Sequence, residues 1–173
     1  AIRDPLTGLY NRRYLKEILE REVLQAEKEN TCLSIIIADV DHFKDINDHY
    51  GHQAGDHFLV EISRLAKSLV RTSDIVFRYG GEEFIFVLPD TAVDAAHKRA
   101  EEIRKKIEEF VLADNGMFLS STISLGVACF PVHGSEAEEL TIKADQAMYY
   151  AKETGRNRVM VWSKEQRDSA ITV

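Results

Sequence analysis

Hydrophobic residues along this chain change rhythm repeatedly, from three-and-four spacing to short continuous runs and back. Between 11 and 29, Leu15, Ile18, Leu19, Val23 and Ala26 share one face of a helix. Residues 32–40 follow as a strand that is apolar on both faces, which places it centrally in a sheet. A helix over 53–70 carries Phe58, Ile62, Leu65, Ala66 and Leu69 on one stripe, and another over 92–111 carries Ala96, Ala100, Ile103, Ile107 and Phe110. Between them lies a hairpin, 75–79 with 82–88, stopped by Pro89-Asp90. A strand runs from Ser120 to Phe130 and ends at Pro131. A helix from about 136 to 153 buries Leu140, Ala144, Ala147, Met148 and Ala151 and stops at Gly155. Val159 to Trp162 closes the pattern as a strand, and the polar tail after Ser163 is expected to fray.

The order is α-β-α-β-β-α-β-α-β, with a hairpin interrupting the alternation. A purely parallel sheet does not fit that order. The prediction is an α+β fold of ferredoxin-like or palm type, a mixed, largely antiparallel sheet flanked by helices. The chain reads as one domain, since it has no internal repeat, low-complexity tract or Pro/Gly-rich linker. With 45% hydrophobic and 29% charged residues, it has the composition of a globular protein. No apolar run approaches the roughly 18 residues of a membrane span, and no signal peptide opens the chain. Cys32 and Cys129 lie in apolar runs and read as buried free thiols, which suits a reducing compartment. The net charge of −7 argues against broad contact with a nucleic acid polymer. A small anionic ligand remains compatible with it, provided divalent cations, Mg²⁺ foremost, come with the phosphates.

The chemistry concentrates at two strand ends. In Arg78-Tyr79-Gly80-Gly81-Glu82-Glu83-Phe84 the Gly80-Gly81 pair reads as a tight hairpin tip, because both positions can take φ > 0. The missing side chains also let a ligand approach the backbone, and Glu82 and Glu83 follow at once. The strand at 32–38 ends in Asp39-Val40-Asp41. Two strands that each end in carboxylates suggest a metal site assembled across a sheet. Asp41 stands before a short helical segment, His42 to Asp48, and is read as its N-cap rather than as a ligand. The amides near His42 and Phe43 would then face phosphates. His49, His52 and His57 lack the spacing of a recognised zinc ligand set.

These residues resemble the GGDEF family of diguanylate cyclases. Gly80-Gly81-Glu82-Glu83-Phe84 matches the name-giving signature in its Gly-Gly-Glu-Glu-Phe form. Asp4-Pro5-Leu6-Thr7-Gly8-Leu9-Tyr10-Asn11-Arg12-Arg13 resembles the family's opening motif. Asp39 through Asp48 and Gly51 through Asp56 resemble its nucleotide-site segments. Ala144 through Lys152 with Gly155-Arg156-Asn157 resembles its last helix and exit. The likeness runs from residue 4 to about 162, in the family's order, and sets the core of a single domain with a polar tail over 163–173.

The resemblance implies a palm-like fold akin to nucleotide cyclases and a reaction in which two GTP molecules condense to cyclic di-GMP and two pyrophosphates. It implies two Mg²⁺ (or Mn²⁺) ions per site, a homodimer with one GTP per domain, and feedback by the product. Asp39 and Glu82 become the bridging acids, the Val40 carbonyl a further metal oxygen, and Glu82 also the base. Strand alternation puts Glu83 on the other side of the strand from Glu82, as a secondary ligand or support. Lys44 steadies the charge on the phosphates, and Lys152 and Arg156 hold the β and γ phosphates. Asn47 and Asp56 read the guanine edge, where adenine presents the wrong donors, and His52 lies beside the base or ribose. Arg71 and Asp74 stand at the offset of the inhibitory R-x-x-D motif, as a product-binding site. The start at the opening motif suggests a fragment of a longer bacterial signalling protein, cytoplasmic or tethered through an upstream sensory region. The competing reading is a non-catalytic module that binds cyclic di-GMP or GTP.

Overall fold

The computed structural model describes residues 1–166, and the expected fraying of the tail falls largely outside them. The elements, in chain order, are β1 (Tyr10–Asn11), α1 (Arg12–Glu29), β2 (Leu33–Val40), α2 (Phe43–Tyr50), α3 (His52–Ser68), β3 (Ile75–Arg78) and β4 (Glu83–Pro89). They continue with α4 (Val93–Glu109), β5 (Leu112–Asp114), β6 (Met117–Leu119), β7 (Ile123–Phe130), α5 (Ala137–Glu153) and β8 (Val159–Val161). Six strands form one sheet in the order β1-β3-β4-β2-β7-β8, and β5 and β6 form a separate hairpin. The four inner strands are antiparallel, while β1 on β3 and β8 on β7 are parallel. The mixed, mostly antiparallel sheet is therefore the predicted one.

Both central strands, β2 and β7, are buried along their whole length. Side-chain alternation splits them between two cores. Ile36, Ala38, Phe84 and Phe86 meet α2, α3 and α4 through Phe43, Phe58, Ile62, Ala100 and Ile103. Ile35, Ile37, Ile85 and Val87 meet α1 and α5 through Ile18, Leu19, Leu140 and Met148. The helical faces read from spacing are the buried ones. In α1, for example, Leu15, Ile18, Leu19, Val23 and Ala26 are inside. Asn11 caps α1 by accepting from the Tyr14 amide, and Asn30 ends it in a left-handed turn.

Three local expectations need correction. First, neither Gly80 nor Gly81 has positive φ. The tip is a longer connection in which the Tyr79 and Gly80 amides both donate to the Glu83 carbonyl. A Cβ at 80 would stand 2.6 Å from Glu83 Oε2, so a side chain there would displace the Glu83 carboxylate. Second, Asp41 does not cap α2. His42 takes the cap position in a left-handed conformation, φ 54°, with no side-chain cap bond. Third, the strand predicted from Ser120 starts at Ile123, and the β5–β6 hairpin before it was not foreseen.

Candidate active site

Asp39 and Glu83 are direct partners in the antiparallel register of β2 with β4, so their side chains share the face covered by α5. The Val40 amide donates to the Glu82 carbonyl at 3.1 Å, which turns the Val40 carbonyl to the same edge, beside Glu82. Asp39, Val40, Glu82 and Glu83, far apart in sequence, thus meet at one end of the sheet. Asp39 is 6% exposed and accepts a 2.5 Å ion pair from Lys152 at the end of α5.

The electrostatics are those of crowded acids. Burial raises the Asp39 carboxyl above its ordinary range, and the charges of Glu82 and Asp41 add to that against the opposing bond from Lys152. Burial also raises Glu83, with further push from Asp39, Asp145 and Glu82. Among the described residues no three His, Cys, Asp or Glu side chains converge as a self-sufficient metal cage. What is assembled is a carboxylate pair with a backbone carbonyl at hand. That all-oxygen set fits Mg²⁺ or Mn²⁺, which complete their shells with water and phosphate oxygens.

Beside the acids, α2 and α3 join across Gly51 (φ 91°). The Asn47 Oδ1 atom is buried there and has no hydrogen-bond partner among the described residues. Gly55 in α3 makes room for it: a Cβ at 55 would lie 1.9 Å from that oxygen and 3.2 Å from the Phe43 ring. A buried acceptor left unpaired costs about 1–3 kcal/mol, which a ligand N–H in this crease would recover. Asp56, next to Gly55, and His52, at the start of α3, are exposed. At the other end of α2, the His42 carbonyl accepts from the Asp45 and Ile46 amides, and the earlier amides of the turn, Phe43 and Lys44, have no such bond. Lys44 is exposed and makes no ion pair among the described residues. Arg156 is exposed one turn beyond Lys152.

Arg71 and Asp74 do meet, but they are engaged with each other. Arg71 Nη2 donates to Asp74 Oδ1 (3.0 Å), the Pro89 carbonyl (2.6 Å) and Thr91 Oγ1 (2.8 Å). The Asp74 side chain is 2% exposed. A hollow of about 160 Å³ beside them also takes in Asp90 and Arg99.

Three residues around the site were not given these roles from the sequence. Arg78 bridges the hairpin tip to the opening turn: Nη2 donates to the Gly81 carbonyl at 2.8 Å, and Nη1 to both Asp4 oxygens at 3.1 and 3.2 Å. Its place two residues before Gly80 was the available signal. Asp145 joins the acids from α5. Asp41 is wholly buried and gathers Thr122, Ser124 and Asn157.

Comparison with known proteins agrees with this geometry. The family profile described as "Diguanylate cyclase, GGDEF domain" matches residues 1–158. Diguanylate cyclase DosC of Escherichia coli is 46% identical over 160 residues, covering 92% of this chain and 35% of DosC. Response regulator PleD of Caulobacter vibrioides is 41% identical over 162 residues, 92% of this chain and 36% of PleD. The chain thus spans about a third of the length of these relatives. Among solved structures, a GGDEF-only form of TpbB (YfiN) from Pseudomonas aeruginosa superposes with a TM-score of 0.93 at 32% identity, covering 98% of this chain and 99% of that one. The GGDEF domain of DgcB from Caulobacter crescentus, in complex with c-di-GMP, gives 0.88 at 32% identity over 92% of each chain. By its motifs, its palm-like fold and these matches, the chain belongs to the GGDEF family of diguanylate cyclases.

Proposed function

We propose that this domain condenses two GTP molecules into cyclic di-GMP and two pyrophosphates. The observation that carries the reading is the pairing of Asp39 with Glu83 at the sheet end, beside an unpaired Asn47 acceptor. Guanine offers N1–H and N2–H donors to Asn47 Oδ1 and to the Asp56 carboxylate; adenine lacks that pair, so the crease selects GTP. His52 flanks the base. The Phe43 and Lys44 amides at the start of α2, reached past His42, receive phosphate oxygens, as helix N-termini do. Gly80 and Gly81 keep the hairpin tip bare enough for the nucleotide to lie against it.

Asp39, Glu83 and the Val40 carbonyl would hold two Mg²⁺ (or Mn²⁺) ions, with Glu82 at the outer edge of the set. The register of Asp39 with Glu83 supports giving Glu83 a larger part in ligation than Glu82. Bound there, the cations neutralise the triphosphate and favour an ionised 3′-hydroxyl. Glu82, one residue further out on the tip, takes the 3′-hydroxyl proton. The freed oxygen attacks the α-phosphorus of the partner's GTP, and the bond to pyrophosphate breaks. Lys44 meets the charge that develops on the phosphates, and Lys152 and Arg156 hold the β and γ groups. The ring closes when each GTP attacks the other, so two copies of the domain must face one another. Product bound at Arg71 and Asp74 must first displace the internal ion pair, which sets the sensitivity of feedback.

Incubation of the purified domain with GTP and Mg²⁺, followed by chromatography, tests the reading. Cyclic di-GMP is expected from the wild type and not from a folded Glu82→Gln variant. Tight binding of the dinucleotide without turnover, at high protein concentration, would favour a receptor module instead.

A further inference from the structure

The carboxylate of Asp41 is fully buried, two residues past Asp39, and the reaction above does not use it. Three donors converge on its two oxygens. Ser124 Oγ donates to Oδ1 at 2.6 Å, while Thr122 Oγ1 at 2.6 Å and the Asn157 amide at 3.0 Å donate to Oδ2. Its own amide donates to the Thr122 carbonyl, and its carbonyl accepts from Ser121 Oγ. None of these donors is a cation. Three donors from two separate segments converge on one buried side chain, and that arrangement points to a need for its geometry.

The element it grips is the exit from α5. Gly155, Arg156 and Asn157 have φ of 130°, 61° and 44°, a run of left-handed backbone that two non-glycine residues adopt only when held. Asp41 holds the run from inside through the Asn157 amide. Arg104 holds it from outside by donating to Asn157 Oδ1 at 3.0 Å, and Asn157 Nδ2 donates to Glu108. Arg156 stands in the middle of the clamped segment and is exposed, four residues beyond the Lys152 that pairs with Asp39.

We propose that Asp41 is a positioning residue that acts through Arg156. By accepting from the Asn157 amide, it fixes the left-handed turn that presents the Arg156 guanidinium to an anionic group, the β/γ end of a nucleoside triphosphate. The inference rests on the reading of Arg156 as a triphosphate contact. Arg156 is held by its backbone, so the effect of Asp41 belongs to substrate binding rather than to turnover.

A double-mutant cycle on GTP kinetics tests this, with melting curves to confirm folding. Arg156→Ala and Asp41→Ala are each expected to raise KM about ten-fold with kcat little changed, and the double variant to be no worse than Arg156→Ala alone. Asp41→Asn keeps the shape but offers one carbonyl oxygen to three donors. It provides the same cycle if the alanine variant does not fold, with an expected KM rise of about three-fold that disappears in the Arg156→Ala background. Independent, multiplying effects of Asp41 and Arg156, or an Asp41→Asn KM equal to wild type while Arg156→Ala raises it, overturn the positioning role and leave the triphosphate reading standing. An Arg156→Ala KM equal to wild type removes the triphosphate reading, and the inference with it.

Discussion

At the scale of single residues, the site is a set of compromises between stability and chemistry. Glu83 lies across from Asp39 and near Asp145 and Glu82, and burial and mutual repulsion hold its carboxyl above the usual range. Neutralising it relieves the strain. Glu83→Gln is expected to raise Tm by about 2–4 °C in metal-free buffer while abolishing product formation, and calorimetry beside a product assay checks both halves. A lower Tm would mean that the carboxylate stabilises the fold. Gly55 shows the opposite economy, since its missing side chain leaves room for the Asn47 oxygen packed against it. Gly55→Ala is expected to cost about 1–3 kcal/mol in denaturant unfolding, through overpacking, and to weaken GTP binding. Much of this chemistry was legible as residue types, because acids at strand ends and a Gly-Gly-Glu-Glu-Phe run are local signals. The partners of Asp41 were not legible. Thr122, Ser124 and Asn157 are 81 to 116 residues away, and only the fold brings them there.

At the scale of elements, spacing identified every helix and strand with a continuous buried face, and it lost those whose stability comes from elsewhere. β1 is two residues long and exists by pairing with β3. The β5–β6 hairpin has three-residue strands with too few buried positions to show a period. Its turn was written in the sequence, since Asn115 and Gly116 take φ of 49° and 79° as an Asn-Gly hairpin requires. The tip of the β3–β4 hairpin depends on Arg78, which ties it to Asp4 of the opening turn. Arg78→Ala is expected to speed amide hydrogen exchange at Gly80 to Glu82 and to lower kcat, without moving the guanine crease. The turn between β7 and α5 responds to pH. His133 Nδ1 accepts from the Cys129 amide, so the ring is neutral, and burial, then the Lys143 charge, holds its pKa below the ordinary 6.5. The unfolded chain therefore binds this proton first. The contribution of His133 to stability is complete above about pH 6.5 and is lost as pH falls through the lowered native value. Melting curves of wild type and His133→Gln should draw together over that interval.

At the scale of the whole molecule, the sheet with helices on both faces brings three distant pieces to one end: the β2 terminus, the β3–β4 tip and the exit of α5. The proposed ring closure takes a second copy, so specific activity of the isolated domain is expected to rise with protein concentration, and an assay across a wide dilution series detects it. Flat specific activity would count against reaction across a dimer. The claim on which the account depends is that Asp39 and Glu83 jointly hold divalent cations over a purine triphosphate whose base enters the α2–α3 crease. A crystal structure with Mg²⁺ and a non-hydrolysable GTP analogue measures it most directly. Metal density at about 2.0–2.1 Å from oxygens of both carboxylates, with the guanine edge on Asn47 Oδ1, is the predicted result. Nucleotide bound with its base outside that crease, or with Asp39 and Glu83 both free of metal, would contradict it.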